Sequence, residues 1–60
     1  MRILVVEDQP LIGKAIKKGL TEEAYAVDLV TSLVDGIHFA NEFEYDTLIL
    51  DLMLPDGSGL

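Results

Sequence analysis

Two acidic motifs carry the chemistry open to this chain, and each stands at the end of an apolar run. Ile3-Leu4-Val5-Val6 leads into Glu7-Asp8, and Leu48-Ile49-Leu50 leads into Asp51. Runs of that length, rich in branched aliphatics, predict buried strands. As parallel neighbours, the two strands would bring Glu7, Asp8 and Asp51 to the carboxyl edge of a sheet, where open parallel sheets place their ligands. Three clustered carboxylates repel one another, so the pattern makes chemical sense around a hard, oxygen-seeking cation such as magnesium. A carboxylate is a weak nucleophile, yet it can attack a phosphoryl group that already has a good leaving group. A divalent ion would bridge oxygens there and neutralise the charge that builds up. The chain therefore reads as a magnesium-assisted phosphoryl acceptor site.

The elements that must position these residues can be read along the chain. Residues 2–7 predict a continuous apolar strand of the kind buried on both faces. Asp8 or Gln9 flanks a helix start, with Pro10 suited to the first helical position. That helix is expected to run to about Glu23, with Leu11, Ile12, Ala15, Ile16 and Leu20 as its inner face and Lys14, Lys17 and Lys18 opposite. Gly13 and Gly19 inside it each cost up to about 1 kcal/mol relative to Ala. Residues 26–30 predict a short strand, which Asp28 marks as an edge strand. Ser32 is the expected cap of a second helix over residues 33–43, with Asp35 completing a weak capping box. Val34, Ile37, Ala40 and Phe43 would form its apolar stripe. Residues 46–51 predict the third strand, and Pro55, Gly57 and Gly59 crowd a loop after it. Alternating strands and helices specify an α/β fold: a doubly wound parallel sheet with right-handed crossovers, here β-α-β-α-β.

Sixty residues allow at most one domain, of marginal stability by itself. The absence of cysteine excludes disulfides and thiolate metal sites. A formal net charge of −7 argues against nucleic-acid binding through the chain's general field. No long apolar stretch predicts a membrane span, and the N-terminus lacks the features of a signal peptide, so a cytoplasmic location is expected. Half of the residues are hydrophobic, which on so short a chain predicts exposed apolar surface.

Taken together, Ile3-Leu4-Val5-Val6-Glu7-Asp8, the segment Asp51-Leu52-Met53-Leu54-Pro55, and Gly59 four residues later resemble the receiver domain of bacterial two-component response regulators. The segment from Lys18 to Asp28 is similar to the subgroup with a C-terminal winged-helix DNA-binding domain. The resemblance spans the whole chain and implies a flavodoxin-like receiver cut to its N-terminal half over residues 1–60, without an output domain and with local strand order 2-1-3. It implies Asp51 as phosphoacceptor and a magnesium site of Glu7, Asp8, Asp51 and the backbone carbonyl of Met53, with Pro55 and Gly59 shaping the pocket wall. The implied partner is a sensor histidine kinase, and the implied output is transcriptional control through DNA binding elsewhere in the full-length protein. The chain would be a signalling phosphoacceptor rather than an enzyme. The later Ser or Thr and the later Lys of the family are absent, so the 60-residue chain is expected to bind magnesium weakly and accept phosphate poorly. Ala24 stands where related chains often have Gly.

Blander readings compete at several positions. Glu7 and Asp8 could serve only as strand-end and helix-cap acids, and Asp51 as a solvated strand end. The three lysines read as a solvated helix face, or as part of a kinase-docking surface. His38 reads as a surface histidine, and Tyr25, Phe39, Phe43 and Tyr45 as packing residues. The alternative function is a self-associating or complementing interaction module, for example a homodimer through the third-strand edge.

Overall fold

A computed structural model describes residues 1–52. The elements are β1 (Arg2–Glu7), α1 (Pro10–Glu22), β2 (Ala26–Val30), α2 (Leu33–Glu42) and β3 (Thr47–Asp51). The strands form a parallel sheet, as the alternation predicts, in the order β2-β1-β3 that the resemblance implies. Residues 3–7 of the central strand are all buried, so β1 is apolar on both faces until Glu7 ends it.

Strand side chains alternate between faces, so close contacts assign each helix to a side. At Gly13 in α1, a Cβ would lie 3.0 Å from Leu29 Cδ1 and 3.4 Å from Glu7 Cγ. Leu29 pairs with Val5, so α1 lies on the face of Ile3, Val5 and Glu7. At Gly36 in α2, a Cβ would lie 2.7 Å from Val6 Cγ2, which places α2 on the opposite face. There Leu4, Val6 and Val30 form a buried cluster, with Phe39, Tyr45 and Leu52 packed against it. Both helices lie over β1 and β2, and neither reaches β3.

The helix faces differ from the periodicity-based expectation. In α1, Leu11, Ile12 and Ala15 are exposed, Ile16 and Leu20 are half-buried, and the buried residue is Gly13. In α2, Val34, Ile37, Ala40 and Phe43 are exposed, while Gly36 is buried and Phe39 half-buried. The reason is close approach: each helix presses a glycine onto the sheet, and the bulkier apolar residues splay to the sides.

The helix ends are closed by recognisable devices. Gln9 is the α1 N-cap in extended backbone, with Pro10 behind it. At the other end, the Tyr25 N–H donates to the Leu20 carbonyl at 3.2 Å and the Ala24 N–H to the Thr21 carbonyl at 2.9 Å. This pair is a Schellman motif, and it puts Ala24 at φ 71°, in the left-handed region that favours glycine. The Asp35 N–H donates to Ser32 Oγ at 3.1 Å, so Ser32 caps α2 as expected.

Candidate functional site

The site is built by strand register. In β1 and β3, Ile3 stands opposite Thr47 and each later residue follows in step, so Glu7 stands opposite Asp51. Cross-strand partners in parallel strands share a face, so both side chains lie on the α1 side at the carboxyl end of the sheet. Asp8, the next residue, is exposed in the turn into α1, and Asp51 is exposed too. Glu7 is only 1% exposed.

A buried carboxylate needs hydrogen-bond donors, and Glu7 is half supplied. Its Oε1 accepts the Gln9 N–H at 2.8 Å. Its Oε2 is buried without a partner among the described residues. The Gln9 N–H is the largest single influence and favours the charged form. Burial and the neighbouring carboxylates of Asp51 and Asp8 together outweigh it, and the Glu7 pKa is raised. The fold therefore holds Glu7 beside two further acids, where its own ionisation is disfavoured.

The structure thus brings Glu7 and Asp51 together, with Asp8 interacting beside them. Among the described residues, no group of three or more His, Cys, Asp or Glu side chains is arranged to hold a metal ion. Met53, Pro55 and Gly59 lie outside the described residues. Lys14, Lys17, Lys18 and His38 are exposed. The ring of His38 meets that of Phe39 edge-on at 6.3 Å between centroids.

Sequence reasoning missed two features. Gly13 was counted as a helix liability, yet its missing side chain lets α1 sit against Glu7 and Leu29. Asp28 marks β2 as an edge strand, which the sheet order bears out, but its second role, anchoring a polar cluster toward the amino end of the sheet, is not in that reading. Its Oδ2 accepts the Tyr45 hydroxyl at 2.6 Å and pairs with Arg2 Nη2 at 3.3 Å. The Tyr45 hydroxyl, and then Arg2 and the charge of Lys17, hold the Asp28 carboxyl below its usual range. The Arg2 guanidinium also lies 5.1 Å from the Phe43 ring centroid and 5.4 Å from that of Tyr45. The signal available in sequence was an acid on the same strand face as a basic residue one strand away.

No helix among the described residues is long and apolar enough to cross a membrane. No solved structure matches the chain. Curated relatives do. The chain is 51% identical over 59 residues to the transcriptional activator protein IrlR of Burkholderia pseudomallei (strain K96243). It is 46% identical over 59 residues to the transcriptional regulatory protein CusR of Escherichia coli (strain K12), and 48% identical over 59 residues to the probable transcriptional regulatory protein SilR of Salmonella typhimurium. Each match covers 98% of this chain and 26% of the relative, so the chain spans about a quarter of the length of these proteins. The model of the response regulator receiver domain matches residues 3–60. With that match running from the first strand to the end of the chain, and relatives this similar across nearly all of it, the chain belongs to the response regulator receiver domain family.

Proposed function

We propose that Asp51 accepts a phosphoryl group from the phosphohistidine of a sensor histidine kinase, in a site that binds Mg2+. The observation that carries this reading is the pairing of Glu7 with Asp51 at the carboxyl end of the sheet, with the buried Glu7 Oε2 left without a partner among the described residues. An unpartnered anionic oxygen beside two further carboxylates fits a hard cation with oxygen ligands. Glu7, Asp8 and Asp51 would supply side-chain oxygens, and Met53 its backbone carbonyl. The bound cation would neutralise the charge that otherwise opposes a carboxylate beside an incoming phosphoryl dianion.

In the proposed transfer, the chain contributes the nucleophile. An Asp51 carboxylate oxygen attacks phosphorus in line with the phosphorus–nitrogen bond. That bond breaks, its electron pair stays on the imidazole nitrogen, and Asp51 becomes an acyl phosphate. The exposure of Asp51 leaves it open to a kinase, while buried Glu7 holds its position through the Gln9 N–H. The chain is then a substrate of transfer rather than an enzyme. Residues 1–60 are read as the N-terminal half of a cytoplasmic receiver. In the whole protein, phosphorylation would shift a conformational equilibrium that controls a DNA-binding output. The relatives' names as transcriptional regulators support that output.

The test uses the chain with acetyl phosphate as donor, with Mg2+ or with chelator, read by intact mass. The expected product is a slow, single phosphate adduct that needs Mg2+, is cleaved by hydroxylamine and is absent in Asp51→Asn. An adduct that persists in Asp51→Asn, or that forms equally in chelator, would refute the assignment. Melting that depends on protein concentration would favour the self-associating reading instead, for which exposed Leu48 and Leu50 on β3 are the supporting observation.

A further inference from the structure

The alignment of Asp51 with Glu7 is a matter of register, and the apolar residues of β3 do little to set it. Leu48 and Leu50 share the α2 face of the sheet, yet they are 55% and 62% exposed. Ile49 lies on the other face and is half-buried. Neither helix covers β3. A one-residue slip would exchange apolar for apolar across most of the strand, so burial barely distinguishes the registers. Its effect on the site would be complete, because a slip of one moves every side chain to the opposite face. Asp51 would then leave the face that carries Glu7.

We infer that Asp46 is the positioning residue that fixes this register from the far end of the strand. Asp46 and Arg2 exchange two hydrogen bonds. The Arg2 N–H donates to Asp46 Oδ2 at 2.7 Å, and the Asp46 N–H donates to the Arg2 carbonyl at 2.8 Å. The second is a backbone bond outside the strand ladder, one residue before β3 begins, and any residue except proline could make it. The first needs a short side-chain acceptor at this one position. Of the neighbours of Asp46, Tyr45 carries its hydroxyl at the far end of a ring, bonded to Asp28, and Thr47 offers a hydroxyl that reaches one bond less far than a carboxylate oxygen.

Arg2 is a fixed point for this pin. Its guanidinium is held by Asp28 of β2 and lies over the rings of Phe43 and Tyr45. On the other side, the Ala26 N–H donates to the Met1 carbonyl at 3.0 Å and starts the β1–β2 register there. Both pairings of the central strand are thus set at its amino end. The consequence is read out at its carboxyl end, where Asp51 meets Glu7. The inference concerns register and, for its consequence at the site, rests on the proposed function.

Two readouts keep the two apart. The first is register itself: cross-strand amide NMR contacts between Ile3 and Thr47 and between Val5 and Ile49, with amide exchange at Arg2. The second is Mn2+ affinity from paramagnetic broadening. In the unaltered chain, the Arg2 N–H is expected to be protected from exchange. Free exchange there would overturn the inference without any variant. Asp46→Ala is expected to lose or shift the cross-strand contacts and to weaken Mn2+ binding roughly 10-fold, the scale seen when support behind metal ligands is removed. Asp46→Asn, whose amide oxygen can accept the same N–H, is expected to restore both. Val30→Ala, which loosens the core without touching β3, is expected to keep the register and the affinity. Native contacts and affinity in Asp46→Ala would overturn the inference, as would a folded Asp46→Asn with displaced contacts. If Asp46→Ala does not fold, Arg2 exchange and Asp46→Asn decide. Absence of Mn2+ binding in the unaltered chain would count against the proposed metal site and leave the register result standing.

Discussion

Gly36→Ala and Gly19→Ala are the same chemical change in two helices, and the structure gives them opposite signs. At Gly36 the new methyl would sit 2.7 Å from Val6 Cγ2, about 1 Å inside ordinary carbon–carbon contact. Val6 cannot easily yield. It is 1% exposed, sits in the cluster with Leu4 and Val30, and as a β-branched residue has little rotamer freedom. Overpacking of this kind costs about 1–3 kcal/mol. The better helix propensity of alanine returns about 1 kcal/mol, so a net loss of up to about 2 kcal/mol is expected, toward the upper end because Val6 is fixed. At Gly19 a Cβ meets nothing within 4 Å, and only the propensity gain of about 1 kcal/mol remains. Urea unfolding followed by circular dichroism measures both, with Gly19→Ala as the stabilised host for Gly36→Ala. Truncating the neighbour offers a further check. In a Val6→Ala background the Gly36→Ala penalty should shrink, a coupling of about 1 kcal/mol. Equal signs for the two glycine changes, or no coupling with Val6, would refute the close approach of α2 to β1.

Three further outcomes follow from individual contacts. Ala24→Gly relieves a left-handed residue in the Schellman motif, and a gain of about 0.5–1 kcal/mol is expected in urea midpoints. Tyr45→Phe removes the hydroxyl that donates to Asp28 Oδ2, and a loss of about 1 kcal/mol is expected at neutral pH. Because the folded Asp28 carboxyl titrates below its ordinary 3.8, that contribution is complete above 3.8 and fades as pH falls through the folded value. The two unfolding curves should therefore converge in acid. Glu7 has the opposite sign: its folded pKa is raised above the ordinary 4.5, so its contribution is present below 4.5 and is lost as pH rises through the folded value. Glu7→Gln should remove that drop, so that in chelator it melts above the unaltered chain at neutral pH while binding Mn2+ more weakly.

The order of elements was legible because hydrophobic period and punctuation agree along the chain. The first two strands match their expected bounds, and the helices and third strand end within one residue of theirs. Pro10 and Ser32 announced the helix starts because one fixes φ and the other supplies an acceptor for a free N–H. The faces of the helices were not legible. Counting apolar residues treats glycine as neutral, whereas here Gly13 and Gly36 are the points of closest approach and decide which way each helix is turned. The acids of the site were visible from their place after two apolar runs. The partners of Glu7 were not, because its burial and its orphaned Oε2 depend on the Gln9 backbone and on register. Nor was the Arg2, Asp28 and Tyr45 cluster, which joins residues far apart in sequence.

The two ends of the sheet place opposite demands on one short chain. At the carboxyl end, Glu7 and Asp51 are acids held side by side by register, and the raised Glu7 pKa means that folding works against the ionisation of Glu7. At the amino end, Asp28 is lowered by a hydroxyl and a guanidinium, so folding there favours the charge. Arg2 bonds to both outer strand segments, through its side chain to Asp28 and through its backbone to Asp46. The favourable end therefore holds the strands in the alignment that the unfavourable end requires. Binding of a cation among the carboxylates would remove the penalty only while that alignment persists, so its stabilising effect should depend on residues at the opposite end of the sheet. Mn2+ should raise the melting temperature of the unaltered chain more than that of a variant in which the Arg2–Asp28 pair is removed. An equal rise in both would mean that the site assembles without help from the amino end, and that the two ends are energetically independent.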